Sequence, residues 1–273
     1  MNSILEKYNR RVDAINSLLC VGLDAESSRI PHRFNQSNAP QFEFNKWLID
    51  QTAEYSAAYK PNMAFYEARG AQGLTELHQT MEYLQKNYPD ILTICDAKRA
   101  DIGSTNEAYA RAIFDELGFD SVTLHPYLGR QALSPFLERR DKVCIILCRT
   151  SNPGAGEFQD LEAAGKPLWQ HVAEQVSRVW DVDGNCMLVV GATYPEEMRK
   201  IRSIAPETTF LVPGIGAQGG NIADAICSGI DSNGRGLIIS SSRDIIFSED
   251  PAATARRTRD AINSVREAID AAH

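Results

Sequence analysis

The 273-residue sequence has no run of roughly 18 apolar residues, so it offers no candidate membrane-spanning helix. Its opening stretch, Met1 to Asn16, is charged and helically patterned and lacks the apolar centre of a secretory signal. Basic residues are outnumbered: 28 Lys and Arg against 36 Asp and Glu give a net charge of -8, which repels phosphate backbones and argues against nucleic acid as a partner. There is no Cys-x-x-Cys pair. The six cysteines, Cys20, Cys95, Cys144, Cys148, Cys186 and Cys227, mostly sit inside apolar runs and read as buried free thiols of a reducing compartment. Histidine is sparse and scattered, at His32, His78, His125, His171 and His273, and no HxH or HExxH spacing offers a metal-ligand set. The expectation is a cytoplasmic protein with no bound metal and no membrane association.

What is present is globular material, 43% hydrophobic and 23% charged. Short β-rich runs bounded by Gly, Pro, Asn or Asp recur at residues 18–23, 57–63, 91–95, 121–124, 143–148, 187–190, 209–212 and 237–240. Amphipathic segments at 73–87, 105–117, 167–180, 195–204 and 221–229 lie between them. Eight such alternations without a break in composition predict one α/β domain over 1–273, a (β/α)8 TIM barrel rather than a doubly wound open sheet. Residues 26–44 are polar, contain prolines and show no period, so they read as a long loop at about 25–45 after the first strand, either a lid or a solvated insertion. Residues 252–272, with the cluster Arg256-Arg257-Thr258-Arg259, read as a solvated closing helix.

The most informative stretch is Ile94-Cys95-Asp96-Ala97-Lys98-Arg99-Ala100-Asp101-Ile102-Gly103, in which charges end an apolar strand. Asp96 and Lys98 are two apart, so extended backbone puts them on one face. Asp101 lies beyond the strand on a turn leading into Ser104-Thr105-Asn106-Glu107, a capping-box pattern that predicts a helix start near Thr105. Unpartnered buried charges are costly, so a lysine flanked by two aspartates implies mutual neutralisation at an enclosed, wet site. Those carboxylates favour a protonated Lys98, which suits a proton donor and argues against a Schiff-base amine. A purely structural ion pair is the alternative.

Other strand ends add polar groups. Asp24 follows the first strand and Lys60 ends the second, and both would reach the same rim. After the fifth strand, Thr150-Ser151-Asn152-Pro153-Gly154 is a donor-rich turn, which is also what an ordinary strand-ending turn looks like. After the seventh, Pro213-Gly214-Ile215-Gly216-Ala217-Gln218-Gly219-Gly220-Asn221 brings backbone N–H groups together ahead of a helix, which fits a phosphate cradle, with a simple tight turn as the alternative. It lacks the Gly-Lys-Ser/Thr of a P-loop. Barrels commonly bind phosphate beside their last strands, so a cation is expected there. Arg235 precedes the eighth strand and belongs to the far end, whereas Arg243 follows it and belongs to the rim. His125, ending the fourth strand, reads as a packed or supporting residue.

Asp96-x-Lys98-x-x-Asp101-Ile102 resembles the signature of the orotidine 5′-phosphate decarboxylase family, and the companion motifs follow that family's order along essentially the whole chain. The long first loop and Thr150-Ser151-Asn152-Pro153-Gly154-Ala155-Gly156 are similar to its longer, type 2 subgroup. The resemblance implies cofactor-free decarboxylation of orotidine 5′-monophosphate to UMP, with Lys98 protonating C6 and Asp96 beside the leaving carboxylate. It further implies a homodimer in which Asp101, Ile102 and Thr105 serve the other subunit's site. Lys60 would bridge the ribose and Asp96 in an alternating Lys–Asp–Lys–Asp chain, and Asp24 would bind ribose hydroxyls. Ser151 would contact the pyrimidine, and Gln218 would join Arg243 and the cradle of Pro213, Gly214, Gly216 and Gly219 on the phosphate. Two rivals stand: a magnesium-dependent sugar-phosphate decarboxylase or aldolase of the same barrel superfamily, separable by chelation, and a non-catalytic phospho-ligand-binding barrel.

Overall fold

Aliphatic and β-branched runs that alternate with helices must be buried on both faces, and a closed parallel barrel wrapped by helices achieves this without leaving an edge. The computed structural model describes residues 2–215 and 220–271. Its strands are β1 (Leu19–Gly22), β2 (Ala58–Lys60), β3 (Leu92–Arg99), β4 (Ser121–Leu124), β5 (Val143–Arg149), β6 (Glu162–Ala163), β7 (Lys166–Pro167), β8 (Cys186–Val190), β9 (Phe210–Val212) and β10 (Leu237–Ser241). Strands β6 and β7 form a small antiparallel pair inserted after β5. The other eight pair in parallel in the order β1-β10-β9-β8-β5-β4-β3-β2, and β2 returns to β1 to close the barrel. Each barrel strand grows from one of the eight predicted runs.

Every residue of β1, β4, β5, β8 and β10 is buried, which is why these strands read as continuous apolar runs rather than alternating ones. One end of the barrel is stoppered by the helix Ser3–Ile15, whose Tyr8 hydroxyl donates to the Leu237 carbonyl at 2.6 Å. Arg235 pairs with Asp13 of that helix at 3.1 Å, so it belongs to this lower end, away from the strand C-termini.

Three sequence expectations change. Residues 26–44 are not one long loop: 3-10 turns at Ser27–Arg29 and His32–Phe34 lead into a helix, Pro40–Thr52, with Pro40 in its first turn. The missing signal was distant, because Glu76 caps that helix by accepting from the N–H groups of Gln41 at 2.6 Å and Phe42 at 2.9 Å. The capping box at Ser104 to Glu107 does not form. The helix Gly103–Ala110 starts earlier, with Ile102 at its cap and no side-chain cap hydrogen bond, because the Asn106 side chain is turned back to hold the Asp101 main chain at 2.9 and 2.6 Å. Of the six cysteines, Cys227 is exposed, whereas the other five are buried free thiols. The segments predicted at 105–117 and 167–180 finish in π-helical turns, Arg111–Glu116 and Val176–Trp180. Among the described residues no helix is long and apolar enough to cross a membrane.

Candidate active site

The C-terminal ends of the barrel strands surround a cavity of about 1070 Å³, at the upper end of the usual range for small-molecule sites. Asp24, Lys60, Asp96, Lys98, Ser151, Pro213, Gly214 and Arg243 all line it, so the structure brings these sequence candidates together. Gly216, Gln218 and Gly219 lie outside the described residues. Asp101, Ile102 and Thr105 are not among the lining residues of the chain's own cavity. Ile102 instead stands 64% exposed on the surface.

Asp96 is the hub. Its Oδ2 takes Lys60 Nζ at 3.1 Å and its Oδ1 takes Lys98 Nζ at 2.6 Å, so one carboxylate is clamped between two ammonium groups. Lys60 and Asp96 are both buried, whereas the Lys98 side chain is about half exposed to the cavity. Burial alone would raise the Asp96 pKa, but Lys60, Lys98 and the hydrogen bonds from Lys98 and Thr123 overcome it and hold the carboxyl well below its usual range. Burial alone would lower the Lys60 pKa, but Asp96 and then Asp24 outweigh it and push the ammonium up. Both groups are therefore charged at neutral pH. His125 sits at the cavity mouth, where desolvation and then the Lys98 charge lower its pKa and favour the neutral ring.

The shared face expected for Asp96 and Lys98 is reached by a different route from simple strand alternation. The β3–β4 register shifts between Cys95 and Arg99, and Lys98 takes a left-handed backbone with φ of 48°. Such a conformation costs a residue bearing a Cβ about 1–3 kcal/mol, so the surroundings must impose it. Thr123 on β4 does so: its hydroxyl accepts the Lys98 N–H at 3.0 Å and donates to Asp96 Oδ1 at 2.9 Å. Sequence reading passed over Thr123, although its place two residues before His125 at a strand end marked it as rim-facing.

Asp24 is held by Ser242, whose hydroxyl donates to Oδ2 at 2.7 Å, while Oδ1 is buried without a partner among the described residues. An unpaired buried acceptor in a cavity wall can accept a hydrogen bond from a ligand hydroxyl. Close packing requires glycine nearby: a Cβ on Gly22 would lie 2.7 Å from the Ser242 Cβ. Arg243 follows β10 and, among the described residues, pairs with no carboxylate, leaving a cation free for an anionic ligand. Gly214, after β9, has φ of 98°, and its carbonyl accepts the Gly220 N–H at 3.0 Å. Residues Gly214 to Gly219 carry the letter spacing GxGxxG, but they follow a late strand of a closed barrel, not the first strand of an open dinucleotide-binding sheet. Among the described residues no group of three or more His, Cys, Asp or Glu is placed to hold a metal ion.

Comparison with known proteins follows the same outline. Residues 17–258 match the family model described as "Orotidine 5'-phosphate decarboxylase / HUMPS family". A Christiangramia forsetii protein named orotidine 5′-phosphate decarboxylase is 49% identical over 86% of this chain and 85% of its own. A Cellvibrio japonicus protein of the same name is 43% identical over 99% of both chains. The solved structure of Leishmania donovani OMP decarboxylase superposes with a TM-score of 0.88 at 38% identity, covering 96% of this chain and 98% of that one. Barrel, cavity and whole-length similarity agree, and the chain belongs to the orotidine 5′-phosphate decarboxylase / HUMPS family.

Proposed function

We propose that the protein is a carboxy-lyase that converts orotidine 5′-monophosphate to UMP in pyrimidine nucleotide synthesis, using no cofactor. The observation that carries this reading is the Lys60–Asp96–Lys98 row, two ammonium groups on one buried carboxylate at the barrel mouth. The named decarboxylases that match almost the whole chain support it.

In the proposed reaction the C6–carboxylate bond breaks, CO2 departs, and the bonding electron pair stays at C6. The Lys98 ammonium stabilises that charge and delivers its proton to C6, forming the C–H bond of UMP, and the resulting amine regains a proton from solvent. No electron sink is involved, so the acceleration rests on fixed charges, within the roughly 8–23 kcal/mol that enzymes supply. Asp96 would face the substrate carboxylate, and Lys60 keeps Asp96 ionised while reaching toward the ribose. The Asp24 Oδ1, which has no partner among the described residues, suits a ribose hydroxyl. Ser151 would contact the pyrimidine. Arg243 and Gln218, with Pro213, Gly214, Gly216 and Gly219, would grip the phosphate, converting remote binding energy into closure of the site.

The reading includes a homodimer in which Asp101, Ile102 and Thr105 of each subunit complete the other's site. The exposure of Ile102 and the fixing of Asp101 on a turn at the rim support this part. A cytoplasmic location is also part of it, supported by buried, unpaired thiols.

The test follows loss of orotidine 5′-monophosphate absorbance with and without chelator, for the native protein and for Lys98→Ala. Chelator-insensitive turnover, abolished in Lys98→Ala while UMP binding stays measurable, is the expected result. Loss of activity on chelation would transfer the site to the magnesium-dependent sugar-phosphate chemistry, and near-normal turnover by Lys98→Ala would remove the proposed proton donor.

A further inference from the structure

Arg149 closes β5 where the β5–β8 register slips, and its side chain is almost wholly buried. Its guanidinium lies 3.7 Å over the Tyr194 ring and donates to Gln159 Oε1 at 3.3 Å and Asp160 Oδ2 at 3.2 Å. Its Nε is buried with no partner among the described residues. Removing a guanidinium from water is costly even when it is paired, and an aliphatic residue would finish the strand without that penalty. The charge therefore answers to something other than the core.

Its hydrogen-bond partners lie on the segment 150–160, much of which lines the cavity. Gln159 Oε1 also accepts the Thr150 N–H at 2.9 Å, and Gln159 Nε2 donates to the Thr150 hydroxyl at 2.8 Å, so Arg149, Thr150 and Gln159 form a closed ring. Beneath it, the Gly191 N–H donates to the Arg149 carbonyl at 2.7 Å. A Cβ at Gly191 would stand only 2.8 Å from the Ser151 backbone nitrogen, so the Ser151 turn rests directly on the end of β8.

We infer that Arg149 is a positioning residue, which with Gln159 clasps the segment 150–160 into the geometry that presents Ser151 to the substrate. It touches no substrate itself. The kinetic consequence rests on the decarboxylase reading above, whereas the clasp does not. Because it presets a binding contact already made in the ground state, its loss weakens substrate binding more than the chemical step.

The test compares the native protein with Gln159→Leu and Arg149→Met, and with Arg149→Lys, whose ammonium cannot reproduce the two-pronged planar grip. Chymotrypsin cleavage after Phe158, which is 67% exposed, reads the clasp without any activity. Cleavage there is expected to accelerate about tenfold in the variants, with other sites unchanged, as local opening becomes easier. KM for orotidine 5′-monophosphate is expected to rise about tenfold or more with kcat within about threefold. Arg149→Lys should not restore either readout. Unchanged cleavage overturns the clasp, and faster cleavage with native KM overturns its positioning role. If Arg149→Met fails to fold, Gln159→Leu decides alone, since Gln159 borders the cavity rather than the core. A native protein with no turnover defeats the decarboxylase reading instead, and proteolysis still judges the clasp.

Discussion

Thr123 and Lys98 are joined through the main chain, the Thr123 hydroxyl accepting the Lys98 N–H at 3.0 Å while donating to Asp96 Oδ1 at 2.9 Å. A neutral hydroxyl thereby fixes both charged partners. Replacing it with the isosteric valine, Thr123→Val, removes both hydrogen bonds with little change in volume. Hydrogen bonds to charged groups contribute about 1.5–3 kcal/mol, so kcat is expected to fall by about 10- to 100-fold. Steady-state kinetics alongside thermal melting check this; a fall in stability with unchanged kcat would assign Thr123 to the scaffold alone.

Asp96 carries a second prediction. Its substitution by alanine leaves Lys60 buried without its main counter-ion, a loss of about 3–5 kcal/mol of stability at neutral pH. The pH dependence has a definite sign. The folded-state pKa of Asp96 lies below the unfolded value of about 3.9, so its contribution is fully present above the unfolded value and is lost progressively as the pH falls from there through the lower folded-state pKa. Urea unfolding of the native protein and Asp96→Ala should differ most at pH 7 and converge as the solution is acidified below about pH 4. A gap that persists unchanged at low pH would mean that packing, not charge, accounts for the loss.

Arg243 is expected to act on phosphate alone. Arg243→Ala should raise KM for orotidine 5′-monophosphate about 100-fold, whereas kcat/KM for orotidine, which lacks the phosphate, should stay within about twofold. Equal losses on both substrates would place Arg243 at the reacting ring or in the fold.

The shared-site dimer can be tested by complementation. Lys98→Ala and Asp101→Ala should each be inactive, yet mixing them after subunit exchange should regain about a quarter of native activity, because half of the dimers are hybrids with one intact site. Regained activity requires two chains per site. Lack of recovery in demonstrably mixed dimers would return Asp101 to its own subunit.

Much of the barrel was legible because doubly buried strands leave continuous apolar runs, and β4 at Ser121–Leu124 matches its predicted bounds. The charged end of β3 was legible because Asp96, Lys98 and Asp101 interrupt such a run. Features that depend on distant partners were not. Glu76 as the cap of Pro40–Thr52 lies far along the chain from the residues it caps. Asn106 displaces a well-formed local capping pattern by a tertiary hydrogen bond to the Ala132 carbonyl at 2.6 Å. The bulge at Lys98 gives no sign in sequence, since a positive φ is signalled by Gly or Asn rather than by lysine.

That bulge also fixes where the amine can reside. A regular strand would offer its neighbours as equivalent addresses, but the handedness of the main chain inverts at Lys98 alone in this stretch. Ala97 packs against the hydrophobic interior and Arg99 is engaged with Glu67, so neither slot faces the cavity. Transplanting the lysine one place back, by combining Lys98→Ala with Ala97→Lys, therefore should not recover turnover. Retuning the chemistry of this barrel means changing the group that stands on residue 98, not relocating it.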